Sequence, residues 1–507
     1  MSEVISTSAT LKPYAINTGQ FLINGSTGTN GQAIQTTGTG IQWATLPTSQ
    51  WSGTSGQPIT YTPFVGIGAS SIPSSNLQVT GNTTISNSLT TQNLYYYSPN
   101  VTGGSVVLPS ALGSLPYAID MVSLTMANFM PATHKTFGTQ QVTTLDLYPF
   151  DYSMYGFYGA FTDGRYGYFV PNADGNNIGE IARVDLKNFV YFSGITPLNL
   201  KALNGSAYGY WGGFTDGRYG YFIPFSTGLA ARVDLQNFTS SGVTFLDLTA
   251  LNGNAKGYSG GFTDGRYAYF CPDYFGASWA SIVTRIDLKN FAAGGVTFLD
   301  LSSVNANAVG FQGGFTDGRY GYFVPWNWSG YFTRIDLQNF TTSGVTLLSL
   351  SSINANAKGF YGGFTDGRYG YLVPTQNPSG YAGLTARVDL QNFTSSGATF
   401  LDFTAVNVNA KGYAGGFTDG RYGYFVPRYS GSPGWNGLAV RVDLQNYTTS
   451  GTTILDLTSV NSNLNGFRGG FTDGKYAYFC PYGNAYYLGL IGRVQITIPP
   501  YLYNGSI

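Results

Sequence analysis

The sequence predicts an all-β protein: a seven-bladed β-propeller with four-stranded blades, preceded by an extended, β-rich N-terminal region. Three observations carry the prediction. The phrase GFYGAFTDGRYGYFVP begins at Gly156, and variants of it begin at Gly209, Gly257, Gly310, Gly359, Gly412 and Gly466. The copies lie about 52 residues apart, a spacing that suits one four-stranded blade per copy. Glu occurs only twice, as Glu3 and Glu180, which argues against extensive surface helix, where Glu and Lys are favoured.

In chain order, residues 1–74 read as a polar Gly/Ser/Thr-rich region for anchoring or oligomerisation. Residues 75–135 read as a β-rich connector, 136–498 as the propeller and 499–507 as a tail. The first 134 residues hold only Glu3, Lys12 and Asp120 as charged groups. Short alternating stretches there suggest strands. GQAIQTTGTGIQWATLP (31–47) resembles the GQxLxxxGxGxxWxxxP phrase of phage and giant-virus fibre proteins. NLQVTGNTTI (76–85) resembles phrases of trimeric fibre shafts. The resemblance implies a fibre-like region ordered by neighbouring chains. The N-terminus, MSEVISTSATLKPY, shows neither the basic start nor the apolar core of a secretory signal.

Within each blade GGFT supplies the innermost strand, RYGYFVP the second, RVDL the third and TFLDL the fourth. Asp-Gly between the first two is a hairpin signal of the type I′ kind. Paired glycines suit strands that converge on an axis, where backbones approach closely. The last copy supplies RVQITI (493–498) as a third strand, and no fourth follows it. VTTLDL (142–147), ahead of the first copy, is the expected closing strand. MVSLTMANF (121–129) weakly matches RVDLQNF and is a possible competitor for that blade. The blades resemble uncharacterised repeat propellers of bacterial and viral surface proteins, a resemblance that implies architecture and no activity.

Charge is scarce and balanced: 9% of the 507 residues, 24 basic against 24 acidic, with no basic run to contact nucleic acid. A single His, His134, excludes His-paired triads and His-cluster metal sites. No apolar run is long enough to span a membrane. Eighteen acids recur by blade: Asp163, Asp216, Asp264, Asp317, Asp366, Asp419 and Asp473 in TDG, six more in RVDL and five in LDL. They read as turn and hydrogen-bonding residues, with the repeated Arg as partners. The remaining acids are Glu3, Asp120, Asp151, Asp174, Glu180 and Asp273. DGNNIGE (174–180) echoes a calcium loop without its alternating ligands, so no metal and no cofactor are expected. Cys271 and Cys480 replace Val or Ile on second strands and read as separate buried thiols.

The variable loops between FVP and RVDL carry the candidate ligand contacts: Tyr274, Trp279, Trp326, Trp328, Tyr381, Tyr429, Trp435 and Tyr486. Aromatic planes there suit stacking on sugar rings or a protein interface, or else seal the blade tops. On the opposite face, Asn237, Asn339, Asn392 and Asn446 each begin an N-x-T triplet, a possible N-glycosylation site. Catalysis needs unlike groups converging on one atom, and the repeat offers few. The expectation is therefore a non-enzymatic structural or attachment protein of a virus or phage, at a virion or extracellular surface. Its partners would be copies of itself and a surface glycan or protein receptor. A subunit of an extracellular filament is the alternative within that class, and a propeller glycosidase or lyase the alternative outside it.

Overall fold

The computed structural model describes residues 137–498, save 172–178, 191, 277, 432–433 and 484–488, together with short strands between residues 32 and 135. The chain divides into two units, residues 1–94 with 111–120, and residues 95–110 with 121–507. In the first, Gln32–Thr36 pairs antiparallel with Ile41–Thr45, and Val65–Ile67 pairs parallel with Leu77–Val79.

The second unit contains a seven-bladed propeller, each blade a four-stranded antiparallel sheet. Blade 2 shows the plan: Tyr210–Thr215 innermost, then Tyr219–Pro224, Leu229–Asp234 and Val243–Asp247 outermost. In blade 7 the strands Phe467–Thr472, Tyr476–Pro481 and Leu490–Gln495 are completed by Val142–Asp146, which pairs Leu145 with Ile491. An N-terminal strand thus closes the ring. MVSLTMANF does not compete for that place: its Leu124–Thr125 pairs with Ser105–Val106. RVQITI splits, and its end, Thr497–Ile498, pairs with His134–Lys135.

Apolar clusters fill the space between neighbouring blades, including the last and the first. Each draws on alternate residues of RYGYF and RVDL, because a strand sends successive side chains to opposite faces. The tyrosines of the second strands, Tyr168, Tyr221, Tyr269, Tyr322, Tyr371, Tyr424 and Tyr478, are all fully buried. Burying a large apolar side chain of this sort contributes about 1.5–3 kcal/mol. Cys271 and Cys480 are buried free thiols at different interfaces.

The TDG turn differs from the expected type I′ form. Asp163 N–H donates to the Tyr166 carbonyl at 3.3 Å, so Gly164 and Arg165 are the central pair, with Gly164 first at φ +90°. Glycine at that position is the mark of a type II′ turn. The shift frees the Asp side chain. Asp163 Oδ1 accepts the backbone N–H of Arg165 and Tyr166 at 2.9 and 2.7 Å, and Oδ2 accepts the Tyr168 hydroxyl at 2.7 Å. The other six turns repeat this set. Six DGR arginines pair with the RVDL Asp of their own blade at 2.6–2.9 Å.

Candidate functional site at the propeller axis

The paired glycines form the waist of the ring. A Cβ placed on Gly212 would lie 3.0 Å from the Cα of Gly260, one on Gly260 2.9 Å from Gly313, and one on Gly469 3.1 Å from Gly159. The first glycine of each pair therefore touches its counterpart in the next blade all round the axis, and its positive φ (+94° at Gly212) excludes other residues.

The residue just before that glycine is where the repeat breaks its own pattern. It is Tyr158, Trp211, Ser259, Gln312, Tyr361, Ala414 and Arg468 in blades 1 to 7. In blades 2 to 7 the inner strand carries a register shift spanning this residue, as between Tyr210 and Gly213. A bulge re-aims side chains, and here it brings unlike groups together at the axis, on the face of the FVP–RVDL loops. They stand inside the repeated phrase rather than in a variable loop, so a search of the loops does not find them. Their variability within an otherwise fixed phrase was the available signal.

Two features dominate this end. The first is a cavity of about 260 Å³ lined by Trp211, Asp273, Tyr274, Trp279, Gln312 and Trp326. Gln312 Nε2 donates to Asp273 Oδ2 at 2.8 Å, while Asp273 Oδ1 and Gln312 Oε1, both buried, have no partner. Asp273 is 1% exposed. Burial pushes its carboxyl pKa well above the usual range, and the hydrogen bond from Gln312 opposes this only in part. Desolvation thus favours the protonated form of this carboxyl, in which it can donate a hydrogen bond.

The second is a column of stacked planes. Trp211 lies on Phe225 with ring centroids 3.5 Å apart, and Tyr158 stacks on Trp211 at 4.4 Å. The Arg468 guanidinium lies 3.4 Å above the Tyr158 ring, with Tyr361 and Tyr482 at 4.7 and 4.8 Å. Arg428 approaches the same two rings at 5.9 and 5.5 Å. Burial pulls the Arg468 pKa down to about 9, so it remains a cation at neutral pH. Its Nε and Nη1 have no hydrogen-bond partner.

Of the aromatics named from the sequence, Tyr274, Trp279 and Trp326 meet at the cavity. Tyr274 and Trp279 face each other across a small hairpin, edge to face at 5.5 Å. Trp279 also covers Gly310, and Trp435 covers Gly466, so both seal the blade tops as well. Tyr381, Tyr429 and Trp435 form a separate chain of contacts, each 5.1 Å from the next. Trp328 is 56% exposed and does not line the cavity. Tyr486 lies outside the described residues. Asn237, Asn339, Asn392 and Asn446 are exposed in turns before the outer strands. Each amide donates to a Ser hydroxyl and accepts from the following Thr, at 3.2 and 2.9 Å for Asn237. Among the described residues no group of three or more His, Cys, Asp or Glu could hold a metal ion.

No protein-family model matches the chain, and no curated protein matches it. Solved structures share its fold. A streptogramin B lyase is 15% identical, with a TM-score of 0.47 over 71% of this chain and 100% of the lyase. Virginiamycin B lyase from Staphylococcus aureus is 14% identical, TM-score 0.45, over 70% and 98%. The WD40 repeats of RRP9 are 7% identical, TM-score 0.48, over 72% and 99%. At these identities the likeness is one of fold. The expectation of a non-enzymatic viral attachment protein or filament subunit is corrected at the axis, which holds the unlike groups whose scarcity in the repeat is the ground of that expectation.

Proposed function

We propose that the propeller is an enzyme of the lyase kind, taking a small ring-bearing molecule into the axial cavity and using Asp273 as its proton donor. The observation that carries this is the buried Asp273 carboxyl hydrogen-bonded to Gln312, each with one unpartnered oxygen, in the lining of an aromatic cavity. Trp279, Trp326 and Tyr274 supply apolar aromatic walls for a ring, and Trp211, its faces covered by Phe225 and Tyr158, adds its edge. The acid offers a donor and the Gln312 carbonyl an acceptor, fixing the orientation of a ligand that presents both. A volume of about 260 Å³ suits one ring system, at the small end of ligand pockets. Asp273 is the one carboxyl lining the cavity among the described residues. The two-carboxylate chemistry of glycoside hydrolysis therefore has less support here than elimination, in which Asp273 protonates the leaving group and the carboxylate so formed takes the proton from the adjacent carbon as the double bond forms.

The test is a fluorescence titration of the full chain against a library of cyclic compounds, with mass spectrometry of the products of those that bind. Asp273→Asn keeps the shape and the bond with Gln312 but loses the acidic proton. Turnover should fall about 10²–10⁴-fold. Turnover unchanged in Asp273→Asn would refute the assignment.

A further inference from the structure

Arg468 sits where no other blade has a charged residue, so the blade architecture does not require a cation there. It is 5% exposed, with two nitrogens lacking hydrogen-bond partners. None of the ion pairs formed among the described residues involves it, and the charges that act on it come from Tyr482 and Cys480. Aromatic faces compensate a buried guanidinium in part, but they do not satisfy its N–H groups, which point in the plane of the fork. Arg428, whose Nε is also unpartnered, adds a second positive charge beside the same rings. A planar fork of this kind matches the two oxygens of a carboxylate or another oxyanion.

Trp211 joins this place to the cavity, lining the cavity on one side and lying 5.3 Å from the Arg468 guanidinium on the other. We propose that Arg468, with Arg428 beside it, binds the oxyanion of the molecule whose ring fills the Asp273–Gln312 cavity, so that the ligand class is a ring-bearing organic acid. This rests on the cavity's role as the ligand site. The buried cation is then a recognition element, retained at some expense of stability, as binding groups commonly are.

The experiment compares indole-3-acetate, its neutral amide and inorganic sulfate by calorimetric titration against the full chain, Arg468→Gln and Trp326→Ala. The acid should bind about tenfold or more tightly than the amide, the scale of one charge-assisted contact, and Arg468→Gln should abolish that preference. Equal binding of acid and amide, or a preference that survives Arg468→Gln, overturns the proposal. Sulfate binding as tightly as the acid, whether or not Trp326 is present, also overturns it and makes the occupant a free inorganic anion. Loss of the cavity reading is seen separately, as amide binding that is indifferent to Trp326→Ala. Thermal melting without ligand guards against a folding artefact. Arg468→Gln should melt at or above the wild-type temperature, and a lower melting temperature would mark Arg468 as a structural pillar instead.

Discussion

Asp273 and the RVDL aspartates are the same side chain in opposite settings, and their effects on stability have opposite signs. Arginine hydrogen bonds hold Asp234, Asp287, Asp336 and Asp389 below the usual carboxylate range. The stability they contribute is present above the ordinary value of about 3.9 and is lost as pH falls through their lower folded values. Burial raises Asp273 instead. From about pH 3.9 up to its folded value, the folded state keeps a proton that the unfolded chain has released, so stability falls as pH rises through that window. Melting temperatures across a pH series should therefore decline on the neutral side in the wild type. Asp273→Asn should flatten that decline and leave the acid limb in place. A neutral limb identical in both proteins would show that Asp273 ionises freely.

At the level of the strand, most of the blade was legible in the sequence because its constraints repeat. Alternation in RYGYF and RVDL reflects two buried faces, and the 18 recurring acids do recurring work in turns. The hairpin lies one residue further on than the Asp-Gly pair suggests, with Gly164 and Arg165 at its centre. The side chain of Asp163 competes better as a cap for the N–H groups of Arg165 and Tyr166. The paired glycines were recognised as an axial feature, and their contacts give the reason. Gly415 has φ +82°, and a Cβ there would stand 2.9 Å from the Cα of Gly469. Backbone strain and overpacking together should make Gly415→Ala destabilising by about 2–4 kcal/mol. The midpoint of urea unfolding checks this, and an unchanged midpoint would mean that the waist is looser than described.

Across the whole molecule, closure of the ring by Val142–Asp146 followed from a missing fourth strand at one end and a spare one at the other. The site did not follow in the same way. Its members come from all seven blades, Tyr158, Trp211, Asp273, Gln312, Tyr361, Arg428 and Arg468 in turn, and meet only because seven inner strands converge. Tyr274, Trp279 and Trp326 were found from loop variability, whereas Trp211, Gln312 and Arg468 lay hidden inside the repeated phrase. Asp273 was noticed only as an acid left over from the repeats, since burial, which gives it its chemistry, is not written in the sequence. Seven-fold repetition thus builds a frame, and function is assigned to the positions that depart from it. Crystals of the full chain soaked with brominated ring fragments, read by anomalous diffraction, test this most directly. The expected result is bromine density in the cavity between Trp211 and Trp326, within reach of Asp273. Fragments that occupy the Tyr381–Tyr429–Trp435 surface or Trp328 and leave the axis empty would contradict it.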